Sequence, residues 1–269
     1  MRLLSVNFRT SSFPYFMRPY ILAETTWKAV KTTHYDVAIL PWGATEAHNY
    51  HLPYATDVIQ CDHIAAEAAK QAWERGAKVV VLPTIPFGVQ TGQLNIPFCI
   101  NMNPTTQTAV LRDVVHSLEV QGIRKLLVFN GHGGNDFRQI IREIQAETSV
   151  FLCALNWYQC ADRTKFFEEA GDHADELETS VMMHLVPHLV APLAEAGDGK
   201  VRTNRIKAMR EGKVWSPRPW TQVTADTGTG NPHKSTPERG KAFVDAVAAY
   251  IADFLVEFAE ADTNNLYRA

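Results

Sequence analysis

Three ligand-type side chains fall within twelve residues of this sequence: Glu46, His48 two positions on, and Asp57 eleven positions after Glu46. A fourth, His132, sits inside Asn130-Gly131-His132-Gly133-Gly134-Asn135. Carboxylates with imidazoles and no thiolate suit a divalent cation such as zinc, manganese or iron. In extended backbone, residues i and i+2 face the same side, so Glu46 and His48 can look into one crevice. An aspartate can bridge two cations through its two oxygens. Taken singly, each residue has an ordinary reading. Glu46 would be solvated, His48 a polar loop residue, Asp57 a helix N-cap, and His132 incidental to a tight strand-to-helix turn. The conjunction points to a metal site.

A third cluster is the acid-rich run Gly171-Asp172-His173-Ala174-Asp175-Glu176-Leu177-Glu178-Thr179-Ser180. Its bland reading is a solvated helix start favoured by the helix dipole. Its chemical reading has His173 as general acid/base and Glu178 as a further metal ligand. The glycines around His132 let backbone N–H groups approach an oxyanion. That loop is no phosphate cradle, because it matches neither GxGxxG nor a Walker loop. A serine hydrolase using it as an oxyanion hole would need a nucleophile elbow, and no GxSxG, HExxH or cysteine-nucleophile signature occurs. His34, His51, His63, His116, His184, His188 and His233 are read as surface or core residues. Trp42, Tyr50, Phe87, Phe98 and Trp157 are candidates to line an apolar pocket, although aromatics at such spacing more often build a core.

Both metal-type motifs follow short apolar runs, Val37 to Leu40 and Leu126 to Phe129. Runs of this kind alternate with helical patterns. Strands are expected over Asp36 to Pro41, Lys78 to Leu82, Arg124 to Phe129 and Ser149 to Leu155. Helices are expected over Asp57 to Arg75 (closed by Gly76), from Asn103-Pro104 to Gly122, over Asn135 to Glu147, and over Asp175 to Leu185. The helix ending at Gly122 carries Val110, Leu111, Val114, Val115 and Leu118 as one stripe. A last helix from Thr236-Pro237 carries Phe243, Val247, Ile251, Phe254, Leu255 and Phe258. This rhythm predicts one α/β domain over residues 1–269, three-layer α/β/α with a mostly parallel sheet. Ala191 to Pro237 is long for an unstructured loop, so part of it should pack over the site or at a subunit contact.

At 269 residues with 46% hydrophobic and 20% charged residues, there is ample material for one packed core. A net charge of −3, from 26 basic and 29 acidic residues, gives no general attraction to nucleic acid or an anionic membrane. No apolar stretch is long enough to span a bilayer. Cys61, Cys99, Cys153 and Cys160 form no CxxC pair or disulfide framework, which fits reduced thiols. The opening MRLLSVNFRTSSFPYF lacks a secretory h-region, so cytoplasm is the expected compartment.

The sequence resembles the creatininase (creatinine amidohydrolase) family. The matching elements are Glu46-Ala47-His48, His51-Leu52-Pro53, Thr56-Asp57, the Asn130 to Asn135 loop, and His173-Ala174 with Glu178-Thr179-Ser180, in the family's order. The resemblance implies a creatininase-like fold, one or two divalent metals per chain, a small-molecule amide substrate and a homo-oligomer, often a hexamer. Carried over residue by residue, it implies that Glu46, Asp57 and His132 hold one metal. His48 and Asp57 would hold the second, with Asp57 bridging. Creatininases place a glutamate where this chain has Gly134, and ligand counting offers Glu178 in its stead. They also carry a substrate-packing tryptophan four residues before His173, where this chain has Glu169. The Gln90-Thr91-Gly92-Gln93 stretch stands where relatives often show a histidine. These departures turn the reading away from creatinine and towards a formamide, another lactam or a short peptide. The expected chemistry is cleavage of a C–N amide bond by a metal-activated water, with His173 protonating the leaving nitrogen. The competing reading is a non-catalytic ligand-binding or assembly module with a vestigial site, which metal content would distinguish.

Overall fold

The computed structural model describes residues 17–267. The leader reading of the first sixteen residues lies outside the described residues. In chain order the elements are α1 (Trp27–Val30), β1 (Val37–Trp42), α2 (Thr56–Glu74), β2 (Val79–Val81), α3 (Pro104–Val120), β3 (Lys125–Asn130), α4 (Phe137–Gln145) and β4 (Phe151–Asn156). There follow β5 (Gly171–His173), α5 (Glu176–Leu185), α6 (Lys207–Arg210), α7 (Trp220–Val223), β6 (Thr229–Gly230) and α8 (Pro237–Glu260).

Strands β1 to β4 form one sheet in the order β2-β1-β3-β4, every pairing parallel. A sheet covered on both faces needs apolar residues at consecutive positions. All six residues of β1 are accordingly buried. Val37, Ile39, Leu127 and Phe129 face one core with Ile64 of α2 and Phe243, Val247 and Ile251 of α8. Ala38, Leu40, Leu126 and Val128 face the other, with Leu111 and Val115 of α3 and Ile140 and Ile144 of α4. This is the expected three-layer α/β arrangement. Phe243 lies at the centre of an aromatic cluster with Trp157, Phe166 and Phe167, at ring-centroid distances of 6.3, 5.3 and 5.2 Å. Because it is fully buried, Phe243→Ala is expected to lower the free energy of unfolding by about 3–5 kcal/mol, read as a shifted denaturation midpoint in urea.

Some boundaries differ from the sequence expectation for local reasons. Helix α4 starts at Phe137, because Asp136 takes the cap by accepting from the Arg138 N–H, while the Asn135 side chain is committed elsewhere. Asn103 makes no capping bond to α3; its Oδ1 accepts from Asn101 Nδ2 instead. The start of the acid-rich run is a short strand, β5, paired antiparallel with β6. The long segment after residue 190 is not bare loop: it contains α6 and α7 and, through Trp220, packs against His173. Among the described residues, no helix is long and apolar enough to cross a membrane.

Candidate metal centre

From β1 the chain crosses to β2 on one side, while β3 passes on to β4 on the other. In such a sheet the crevice opens beyond the carboxyl ends of the two central strands, where the strand order reverses. Trp42 and Asn130, the last residues of β1 and β3, are register partners, and the Gly131 N–H donates to the Trp42 carbonyl at 3.0 Å. The loops carrying Glu46, His48 and His132 therefore start side by side. Asp57 arrives on the first turn of α2. A Cβ on Gly131 would lie 2.3 Å from the Cys61 sulfur, so glycine there lets α2 lie close over the end of β3.

The side chains converge into two sets. Glu46 Oε1 lies 2.9 Å and Asp57 Oδ2 3.0 Å from His132 Nδ1. Asp57 Oδ1 lies 3.1 Å and Glu178 Oε2 3.9 Å from His48 Nε2. Each set offers ligand atoms close enough to share one ion, and Asp57 directs one oxygen to each. His173 adjoins both: its Nδ1 is 3.7 Å from Glu46 Oε1, and its ring centroid is 4.1 Å from that of His48.

Proton positions decide what these rings can do. A carbonyl oxygen only accepts, so a ring nitrogen facing one carries the hydrogen. His132 Nε2 donates to the Val89 carbonyl at 2.9 Å, and His48 Nδ1 donates to the Glu46 carbonyl at 3.1 Å. His173 Nε2 donates to the Ala47 carbonyl at 2.8 Å. In its neutral form each ring thus turns a lone pair inward, as metal-ligating histidines do. Asp57 Oδ2 is buried and, among the described residues, has no partner of hydrogen-bond geometry, despite its closeness to His132 Nδ1. A buried anionic oxygen in that state is what a cation would satisfy. The donor set fits a divalent metal.

The electrostatics agree. Burial opposes charge on His48, but Asp57, Glu178 and Glu46 outweigh it and hold the ring up to about 10. His132 is raised in the same way against burial, by Glu46 and Asp57. Burial, reinforced by the neighbouring Asp57 and Asp175 charges, pushes Glu178 up to about 8. His173 is lowered, by burial and then by His48. Metal binding to His48 and His132 would release protons that the carboxylates otherwise draw onto those rings.

Several sequence readings are corrected here. Asp57 is no N-cap: Ala55 holds that position and makes no side-chain capping bond. The acid-rich run is not a solvated helix start, because Asp175 and Glu176 are buried. Asp175 caps α5 through the Glu178 N–H and also pairs with Arg163, while Glu176 pairs with Arg239. Trp42 and Trp157 are core residues, and Tyr50 and Phe98 are exposed. None of these lines the crevice, nor does Phe87; the aromatic wall of the cavity, about 520 Å³ in volume, is Tyr158, Trp215 and Trp220. His51 is a core residue, one of the two readings offered for it: it is buried, with Nε2 2.8 Å from Thr179 Oγ1, tying the loop after β1 to α5. Gln93 also enters unannounced, its amide donating to Glu46 Oε2 and its carbonyl accepting from Cys99 Sγ. The unusual Gln90 to Gln93 stretch was the signal for it.

An α/β protein with carboxylates and imidazoles converging at the switch point of its sheet is a metallohydrolase-type scaffold. The creatininase family profile, described as creatinine amidohydrolase, matches residues 23–255, and the chain belongs to that family. It is similar over 94% of its length, at 45% identity and a TM-score of 0.88, to the whole of a crystal structure provisionally described as a creatinine amidohydrolase from Bacteroides fragilis NCTC 9343. It is 29% identical over 195 residues to the creatinine amidohydrolase of Pseudomonas putida, covering 63% of this chain and 73% of that one. It is 25% identical over 198 residues to the mycofactocin precursor peptide peptidase of Mycobacterium ulcerans (strain Agy99), covering 71% and 72%. A manganese form of creatininase, 20% identical, shares the fold at a TM-score of 0.76 over 90% of this chain and 99% of that one. These relatives place the chain among hydrolases.

Proposed function

We propose that this protein is a divalent-metal-dependent amidohydrolase that cleaves a C–N amide bond in a small substrate, a cyclic amide or a formamide. The observation carrying this reading is the pair of buried ligand sets that share Asp57 and open on a cavity. Glu46, Asp57 and His132 would hold one ion and His48, Asp57 and Glu178 the other, with zinc, manganese or iron compatible with the donors. Bound there, the metal supplies Lewis acidity towards the carbonyl and makes a water acidic enough to attack near neutral pH.

The chain's own residues do the rest. His173 sits with Nε2 fixed on the Ala47 carbonyl, so Nδ1 is the atom that moves a proton. Burial keeps the ring neutral at rest. It therefore accepts a proton as water attacks and returns it to the departing nitrogen, which an amide requires because its anion leaves poorly. Gly133 and Gly134 line the cavity and are the backbone donors for an oxyanion. Trp220 packs its ring 4.7 Å from that of His173 and limits the imidazole's freedom. A cytoplasmic homo-oligomer, hexameric in keeping with the family resemblance, completes the reading.

The test is metal content followed by a substrate panel. Purified protein is expected to carry one to two metal equivalents per chain. Dialysis against a chelator should abolish hydrolysis across lactams, formamides and short peptides, and added zinc or manganese should restore it. Negligible metal together with no metal-stimulated hydrolysis would instead favour the binding or assembly module.

A further inference from the structure

We propose that Asn135, backed by Gln107 from α3, is the positioning residue of His132. It would fix the backbone at Val89 so that the ring presents Nδ1 to a cation. The inference rests on the metal reading of the site but not on the reaction.

His132 is gripped at its ring and through its backbone, where the Asn135 N–H also donates to its carbonyl at 3.2 Å. Its ring Nε2 donates to the Val89 carbonyl at 2.9 Å. Its backbone N–H donates to Asn130 Oδ1 at 3.2 Å, and its carbonyl accepts from Asn130 Nδ2 at 2.9 Å. The first grip is no better than the placement of Val89, which belongs to a segment without regular structure. Its neighbours are tied to the 101–102 stretch, the Met102 N–H donating to the Gly88 carbonyl at 2.7 Å and the Gln90 N–H to Asn101 Oδ1 at 2.8 Å. Val89 itself is held by its N–H donating to Asn135 Oδ1 at 3.0 Å. The same oxygen accepts from Gln107 Nε2 at 2.7 Å, and Asn135 Nδ2 donates to Asn130 Oδ1 at 2.9 Å. One side chain therefore joins the peptide that orients the imidazole to the asparagine that holds its main chain.

Gln107 shows that packing alone does not account for this arrangement. It is fully buried on the face of α3 that otherwise buries Leu111, Val115 and Leu118. Among the described residues its Oε1 has no partner. A buried acceptor left unpaired weakens the fold, and an apolar side chain of similar shape would not. The hydrogen bond its side chain makes among the described residues is to Asn135 Oδ1. Gly134 completes the device: a Cβ there would lie 2.0 Å from the Val89 oxygen and 2.5 Å from His132 Nε2. The carbonyl-to-ring contact thus occupies the space that a side chain at 134 would need. Glycine at 134 and the Val89 contact belong together in this chain, and the second ligand set finds its carboxylate in Glu178.

The experiment is a zinc titration of the full-length metal-free protein against a chromophoric chelator, comparing wild type, Gln107→Leu and Asn135→Ala, with the melting temperature of each metal-free protein alongside. Zinc affinity of the equivalent that His132→Ala abolishes is expected to fall in both variants, by up to the about 10- to 100-fold that losing a ligating histidine's own outer partner costs. Metal-free Gln107→Leu should melt no lower than wild type. A merely structural residue would do the opposite, lowering the melting temperature with zinc affinity intact. Affinity within twofold of wild type in Gln107→Leu overturns the proposal, and because that variant adds an apolar group to an apolar stripe it decides the matter even if Asn135→Ala does not fold. Wild type that binds zinc yet hydrolyses nothing would sink the amidohydrolase reading and leave this one standing.

Discussion

Asp57→Ala is expected to yield a folded protein that holds neither cation and hydrolyses amides at least about 10³-fold more slowly, the scale of losing a principal electrostatic element of a site. Asp57 Oδ1 serves the His48 set and Oδ2 the His132 set, so one substitution opens both. His132→Ala, in contrast, removes a ligand from one set only and should lose one equivalent together with activity. The fold should survive Asp57→Ala, because the carboxylate makes no helix-capping bond, alanine is the strongest helix former, and three buried carboxylates no longer crowd one another. Metal analysis of the purified variant, with circular dichroism as the check on folding, gives the answer. Two equivalents retained in Asp57→Ala would end the shared-ligand arrangement.

The two strand-end motifs were legible for a physical reason: each lies directly after an apolar run buried on both faces, and a parallel sheet places such strand ends together. The ambiguity at Asp57 was equally physical, since an aspartate at a helix start satisfies the capping rule and the ligand rule alike. Only the position of Ala55 and the inward direction of both Asp57 oxygens separate them. The acid-rich run misled for a related reason. Helix-dipole reasoning expects exposed acids, whereas Arg163, 12 residues upstream, pairs with Asp175 and Arg239, 63 residues downstream, pairs with Glu176.

What sequence could not reveal comes from segments without period. Val89 acts through its carbonyl, which any residue type supplies. Trp220 sits in a one-turn helix far along the chain from the His173 it packs against. Gln107 falls on the apolar stripe of α3, where its polarity looks like an interruption until Asn135 is found opposite. In each case the role is set by a partner at least 28 residues away or by the backbone itself, and neither leaves a spacing to read. The aromatic wall shows the same thing: the tryptophan missing four residues before His173 has no local substitute, and the indoles facing the cavity come from the 215–220 segment.

His173→Ala should keep its metal and lose its turnover. The imidazole lies beside both ligand sets, and Glu46, His48 and His173 form a third group close enough to share an ion, so metal content is the measurement that separates the two roles. As a proton carrier, His173 leaves Glu46, His48, Asp57, His132 and Glu178 in place when removed. Metal per chain then stays at the wild-type value, while kcat falls about 10²- to 10⁴-fold, the range for a positioned acid or base. Loss of one equivalent would make it a ligand and leave the proton transfer to another group. Leaving-group dependence sharpens the distinction. An anilide with an acidic leaving amine needs little protonation, so its hydrolysis by the variant should fall far less than that of an alkyl amide. Equal loss on both substrates would mean that His173 is not the residue that protonates the nitrogen.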